Sequence, residues 1–446
     1  MMDSPFRLES GRKSWGRVVD AKHWVARPGS MDDASQTPAS AAAGDMSVLP
    51  FGLGRSYGDS NLNPGGALIE TRRMDRFIRF DREAGLLHAE AGVSLDEILR
   101  VVVPHGFFLP TTPGSRIVTL GGAIANDVHG KNHHRAGSFG SHVRRFRLAR
   151  SDGSITEVTP HETPELFEAT IGGLGLTGLI LDAEVALVRI PSAYIDQTIE
   201  PLAHMDAFFD IAELRAEHSE HTVAWIDCTA TGPRLGQGVF SSGDWSQTGA
   251  HEAHSAGAGP TFPVDAPGFA LNPVTLKLFN TAYRRRQAMK ARVSRVHYGS
   301  FFHPLDSIND WNRLYGAKGF YQYQSVIGVA AAREATRAML ERISASGEGS
   351  FLAVLKTFGD RPSPGVLSFP EPGATLALDF ANRGDKTLRL LADLDAIVRE
   401  AGGRLYPAKD GRMSADMFQV GYPNWERVEQ LRDPAFSSAF WRRVTA

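Results

Sequence analysis

A single cysteine, Cys228, stands among 446 residues, which excludes an internal disulfide framework and any multi-cysteine zinc or iron–sulfur centre. No stretch approaches the ~18 uninterrupted apolar residues that a membrane-spanning helix needs. Lys and Arg (48) nearly balance Asp and Glu (50), so the chain lacks the basic field of a nucleic-acid binder. Met1 to Ser14 scatters Asp3, Arg7, Glu9, Arg12 and Lys13 without an apolar block, which argues against a secretory leader. These absences point to a cytoplasmic globular protein. Its length predicts two or three domains at ~100–200 residues each. What the sequence has in quantity is glycine, 45 residues, and their grouping carries the rest.

The first ~50 residues read as a polar lead-in ending in the Ala/Ser-rich stretch Ser35 to Gly44. Short strand signals follow at Ala67–Thr71, Leu86–Val93 and Leu179–Ile190. Ser94 and Glu97 form a capping-box pattern before a helix that Gly106 stops. A loop-like stretch runs from Ser241 to Gly259. Helices are predicted over Arg333–Ser346, ended by Gly347, and Lys386–Ala401, ended by Gly402 and Gly403. The latter sets Leu388, Leu391, Leu394, Ile397 and Val398 on one core-facing stripe. The coarse class is α+β.

Three glycine-bearing segments stand out. Phe51-Gly52-Leu53-Gly54-Arg55-Ser56-Tyr57-Gly58-Asp59-Ser60 lets successive backbone N–H groups converge on an anion, although a tight surface turn has the same spacing. Thr112-Pro113-Gly114-Ser115 leads through Thr119-Leu120-Gly121-Gly122 to His129-Gly130-Lys131-Asn132-His133-His134, small residues against which a cofactor can lie. Adjacent His133 and His134 cannot both face one ion, so no metal site is predicted. Gly173-Leu174-Gly175-Leu176-Thr177-Gly178 matches the dinucleotide fingerprint in letters, but a helix precedes it and a strand follows. That order is the reverse of a nicotinamide site.

These segments resemble the FAD domain of the vanillyl-alcohol-oxidase and p-cresol-methylhydroxylase superfamily. Further blocks resemble its decaprenylphosphoryl-β-D-ribose 2′-oxidase family: Ala136-Gly137-Ser138-Phe139-Gly140, His303-Pro304-Leu305-Asp306, Trp311-Asn312-Arg313, Gln322-Tyr323-Gln324 and Gly403 to Asp410. The resemblance implies a two-domain α+β fold: an FAD domain over residues 1–190, an antiparallel-sheet substrate cap over 191–400, and a return to the FAD domain over 401–446. It implies non-covalent FAD held by Phe51–Ser60, Gly114, Ser115, Thr119, Leu120, Gly121, Gly122, His129, Gly130, Lys131, Asn132, Ile180, Tyr406 and Lys409. The catalytic candidates are Lys409, as a cation beside the flavin, with Tyr57 and His129. Trp225, Gln324, Lys356, Phe358 and Ala377 match the family's substrate pocket.

The implied reaction is FAD-dependent oxidation of the ribose C2 hydroxyl of a polyprenyl-phosphoryl ribose, the first half of an epimerisation completed by a short-chain-dehydrogenase-type NAD(P)H reductase. Quinone or oxygen would be the electron acceptor. A soluble sugar or aldonolactone oxidase, or a non-catalytic electron-transfer flavoprotein, shares the same fold. The chain departs from the family pattern where Thr375 and Ala377 stand for Asn and Cys, and where Phe302 stands for Tyr. Tyr57 takes the place of the histidine that tethers flavin in several superfamily oxidases. Finally, Arg284, Arg285, Arg286, Lys290, Arg292 and Arg295 follow the apolar Phe269, Val274, Leu278 and Phe279. That patch suits peripheral contact with the inner face of the plasma membrane, and equally a solvated helix face.

Overall fold

The computed structural model describes residues 4–255, 259–289 and 292–446. Met1, Asp3, Lys290 and part of the Ser241–Gly259 stretch lie outside them. The lead-in is structured. Strands Arg7–Lys13 and Asp20–Ala26 form an antiparallel hairpin, which continues in parallel through Ala67–Glu70 to Val48–Phe51 as a four-stranded sheet. The Ala/Ser-rich stretch is part of a helix, Met31–Ala43, because Ser30 caps it at Asp33 N and Ala34 and Ala41 bury against the sheet. Alanine loses little on entering a helix, so a small buried face suffices.

A second, five-stranded antiparallel sheet orders Phe77–Asp81, Leu86–Glu90, Leu179–Ala186, Val143–Ala149 and Ile155–Val158. The capping box forms as predicted at Ser94 and Glu97 and starts the helix Leu95–Val102. Gly106 closes the turn after it at φ 77°.

The largest sheet has eight antiparallel strands. Its order is Val293–His297, Tyr194–Leu202, Gly238–Trp245, His221–Ile226, Ala353–Phe358, Gly373–Ala381, Phe320–Gly328 and Arg404–Leu405. Ser241 to Trp245 is therefore strand, not loop. Gly243 carries no side chain because a Cβ there would come within 2.5 Å of Ile195. Helices Met205–His218, Val329–Ser346 and Asp385–Glu400 cover one face, burying Phe208, Met339, Leu340, Leu391 and Leu394 against Leu355, Leu376 and Leu378. Leu388 is exposed, since the core arc of its helix centres on Leu391 and Leu394. With side chains alternating at period two, the opposite face presents Val354, Lys356, Thr375, Ala377, Gln322 and Gln324 to a cavity.

The C-terminal segment closes that cavity by returning to the first loop. Tyr57 N donates to Ala408 O (3.0 Å), Val48 N donates to Ala435 O (2.7 Å), and Arg443 pairs with Asp59 (2.7 Å).

Candidate active site

The cavity lies between the glycine segments and the open face of the large sheet, and encloses about 2040 Å³ of empty space including its mouth. Gly52 and Gly121 line it without side chains. A Cβ on Gly52 would sit 2.3 Å from Thr119 Oγ1, so only glycine lets these two loops meet. Gly58 does not line the cavity but is equally constrained, since a Cβ there would lie 1.5 Å from the Asp410 carbonyl oxygen. That contact holds the loop against the segment carrying Lys409. Ser115 Oγ and Arg116 N both donate to Asp306 (2.7 Å each), tying the second glycine segment to the His303–Asp306 motif.

The reactive end of the wall is basic and aromatic. Lys409 Nζ stands 4.0 Å from the centre of the Tyr57 ring. Desolvation pushes its ammonium down to about 8, against the opposing field of Asp379. Lys356 Nζ donates to Gly130 O at 3.0 Å, and burial with the neighbouring Lys131 and Lys409 charges pushes it down to about 7. Burial drives His129 well below the ordinary imidazole range and the Tyr57 phenol well above its own, so both are neutral near pH 7. Gln324 Nε2 lies 3.2 Å from Thr375 Oγ1 and 3.3 Å from His129 Nε2. An amide donating to Nε2 leaves the imidazole proton on Nδ1. The Tyr406 hydroxyl donates to Asn126 O (3.1 Å).

Most of the residues singled out in the sequence converge on this wall: Gly52 to Tyr57, Ser60, Gly114, Ser115, Thr119, Gly121, Gly122, His129, Ile180, Gln324, Lys356, Ala377, Tyr406 and Lys409. Others stand behind it. Phe51 packs with Leu49, Leu62 and Leu68, and Leu120 is core. Asp59 serves its ion pair with Arg443, and Asn132 Nδ2 donates to Pro110 O. Lys131 turns away from the cavity to donate to Phe301 O under the Phe301 ring, and burial pushes it down to about 7. Trp225 donates to Phe351 O and packs on Tyr283, while Phe358 packs on His129 and His133.

The wall also contains residues the sequence reading did not single out as site residues. Gln322, Asp306 and Trp311 belong to motifs already quoted, and Leu174, Gly175 and Gly178 belong to the rejected fingerprint. Trp15 carries no signal in its local sequence. It arrives through the N-terminal hairpin, and the Arg55 guanidinium lies 3.8 Å from its ring centre.

Comparison with known proteins agrees with this geometry. The FAD binding domain family matches residues 23–159, which include the first two glycine segments and most of the small-sheet region. The decaprenylphosphoryl-β-D-ribose oxidase of Mycolicibacterium smegmatis is 36% identical over 428 residues, 91% of this chain and 90% of its own. An uncharacterised protein of the mprA 5′ region of Streptomyces coelicolor is 31% identical across 79% of this chain and 100% of its own. Mouse L-gulonolactone oxidase is 27% identical over 39% of each chain.

The cavity suits FAD on its own evidence. Ser60 Oγ, both amide atoms of Asn61 and His129 Nδ1 are buried in its lining without a hydrogen-bond partner from the protein. A polar ligand threaded past side-chain-free glycines would satisfy such atoms. Near-full-length identity, the FAD-domain match and a cavity of this chemistry lead to one conclusion: the chain belongs to the decaprenylphosphoryl-β-D-ribose oxidase family, FAD-dependent oxidoreductases that act on CH–OH groups.

Proposed function

We propose that the protein oxidises the C2 hydroxyl of the ribose of a polyprenyl-phosphoryl ribose to a ketone, the first half of a 2′-epimerisation. The observation that carries this reading is the 36% identity that spans nine-tenths of both chains. The lactone oxidase, by contrast, matches only over 39%. A short-chain-dehydrogenase-type NAD(P)H reductase would complete the epimerisation, with quinone or oxygen as the terminal electron acceptor. The division into an FAD part (1–190), a substrate part (191–400) and a return (401–446) belongs to the same reading.

In this reading the backbone of Gly52 to Ser60 and of Gly114 to Gly122 holds FAD, with Tyr406 and Lys409 reaching it from the C-terminal return. Bound there, FAD supplies the two-electron acceptor for a hydride leaving the substrate carbon. Lys409 is the preorganised cation beside the site of developing negative charge, where a fixed charge lowers a barrier most. The substrate hydroxyl proton needs an acceptor near neutrality, and the neutral fraction of Lys409, whose ammonium is pushed down to about 8, has the suitable affinity. Tyr57 and His129, both neutral, orient the alcohol through hydrogen bonds. Gln324 and Ala377 border the sugar, and Lys356 meets its phosphate as a point charge. Trp225 and Phe358 back that pocket. Binding is non-covalent, because a phenol at position 57 is a poor nucleophile at neutral pH.

A lipid substrate also needs access from a membrane. No helix among the described residues is long and apolar enough to cross one. The helix Pro273–Ala288 instead exposes Val274, Leu278 and Phe279, flanked by exposed Phe269, Met289 and Val293 and followed by basic residues. An interfacial contact would use both features.

Anaerobic mixing with a polyprenyl-phosphoryl ribose tests the function. The expected result is bleaching of the bound yellow chromophore and one equivalent of keto product. Bleaching only by free sugars or aldonolactones, with hydrogen peroxide released in air, would move the protein to the soluble-oxidase class.

A further inference from the structure

Asp379 is a buried carboxyl beside the cavity to which the proposed mechanism gives no role. Asp379 follows Thr375 and Ala377 at alternate positions on the strand Gly373–Ala381, so its side chain shares their face. Its cross-strand partner is Gln322, whose Nε2 donates to Asp379 Oδ1 at 2.6 Å. The Tyr315 hydroxyl donates to Oδ2 at 3.4 Å, and the backbone N–H of Asp379 donates to Ser350 Oγ at 3.0 Å. Among the described residues no arginine or lysine pairs with this carboxyl, although it is buried.

Between Asp379 and Lys409 lies an aromatic layer. Tyr315 stacks on Phe320 (4.1 Å), which meets Tyr57 edge-on (5.6 Å), and Lys409 lies 4.0 Å from the Tyr57 ring. Gln322 lines the same cavity as Tyr57. The charged and titratable groups facing Asp379 are thus Lys409, Tyr57 and Tyr315. Arg55 and Asp306 act on Tyr57 from the mouth side with opposite signs. Both Tyr phenols stay neutral, and burial pushes the Asp379 carboxyl up to about 7, so above that pH Lys409 and Asp379 are the charges that remain in this layer.

We propose that Asp379 is a positioning residue for the reaction: the buried counter-charge that keeps Lys409 protonated inside the cavity, held in place by Gln322 and Tyr315. Desolvation alone favours a neutral lysine amine, and a carboxylate in the same low-dielectric layer opposes that. The mutual influence is reciprocal, since Lys409 draws the Asp379 carboxyl down from the rise that burial imposes. This proposal rests on reading Lys409 as the functional cation, and the test separates the two.

The holoenzyme is treated with a trace of acetic anhydride between pH 5 and 10, and acetylation of Lys409 is read by peptide mass spectrometry. In the wild type, half-maximal reactivity should fall near pH 8. In Asp379→Asn it should move down by about one pH unit or more. Asp379→Glu should restore it, and Tyr315→Phe should move it the same way by less. The alkaline limb of kcat/KM should shift in parallel. An unchanged Lys409 titration in Asp379→Asn overturns the proposal. If Asp379→Asn does not fold, an unmoved titration in Tyr315→Phe does so instead. A titration that moves while the kcat/KM limb stays put upholds the coupling and removes Lys409 as the functional cation.

Discussion

Replacing Lys409 by Met should make the protein more stable and nearly inactive, and the structure gives the size of the first effect. Burial lowers the Lys409 ammonium from 10.5 to about 8, and each unit corresponds to ~1.4 kcal/mol between the two protonation states. Between pH 8 and 10.5 the unfolded chain therefore binds a proton that the folded one does not, and wild-type stability rises with pH across that window. Below pH 8 the full penalty, roughly 3 kcal/mol, is in force. Methionine keeps the apolar stem and a contact with the Tyr57 ring, so ~1 kcal/mol or more of that penalty should survive the lost cation–π contact as a gain. Urea unfolding of wild type and Lys409→Met, each with and without FAD, should give the variant the higher midpoint at pH 7. The two should converge as pH approaches 10.5. Turnover should fall by about 100-fold, the usual cost of removing a preorganised charge. A variant less stable at pH 7, with a gap indifferent to pH, would falsify the picture of a strained buried cation. Near-normal kcat with full FAD occupancy would remove Lys409 from the mechanism.

Neutralising Arg284, Arg285 and Arg286 to Gln should weaken co-sedimentation with anionic liposomes at low salt and leave binding to neutral liposomes unchanged; equal binding to both would make the patch ordinary surface. No cysteine lines the cavity among the described residues, and burial pushes the Cys228 thiol up to about 12. Native protein should therefore resist a cavity-directed alkylating reagent, whereas Ala377→Cys should gain one adduct by intact mass. Acid precipitation should release all FAD to the supernatant, and yellow colour left in the pellet would contradict the reading of Tyr57. Gly58→Ala should lose FAD on gel filtration, because its Cβ would collide with the Asp410 carbonyl and part the first loop from the return; full retention would mean that this packing does not hold the site together.

Much of the chemistry was legible in the order of residues. Positions that exclude a side chain leave a local mark as glycine, which is why Gly52, Gly54, Gly121 and Gly122 point to a cofactor cradle: Gly54 has a left-handed backbone, and a Cβ on the other three would crowd Thr119 or Ala91. The caps at Ser94 and Gly106 were readable because each satisfies backbone groups within a few residues of itself, and Gly347 because it ends its helix in the left-handed region. Helix Met31–Ala43 was missed because a small alanine face gives a weak apolar periodicity. The strand through Ser241 was missed because its glycine, Gly243, answers to packed neighbours, Ile195 and Phe301, and not to a turn. Tertiary structure alone decided which polar residues meet. Lys131 and Lys356 are both lysines in matching motifs, yet one faces a carbonyl behind the wall and the other lines the cavity. Trp15 reaches the mouth from the far end of the chain, and Asp379 sits within the field of Lys409 although thirty residues separate them. Such pairings arise from sheet register and loop closure, which are properties of contacts between distant segments. No local pattern encodes them, because the free energy that selects them is released only when the segments are brought together and buried.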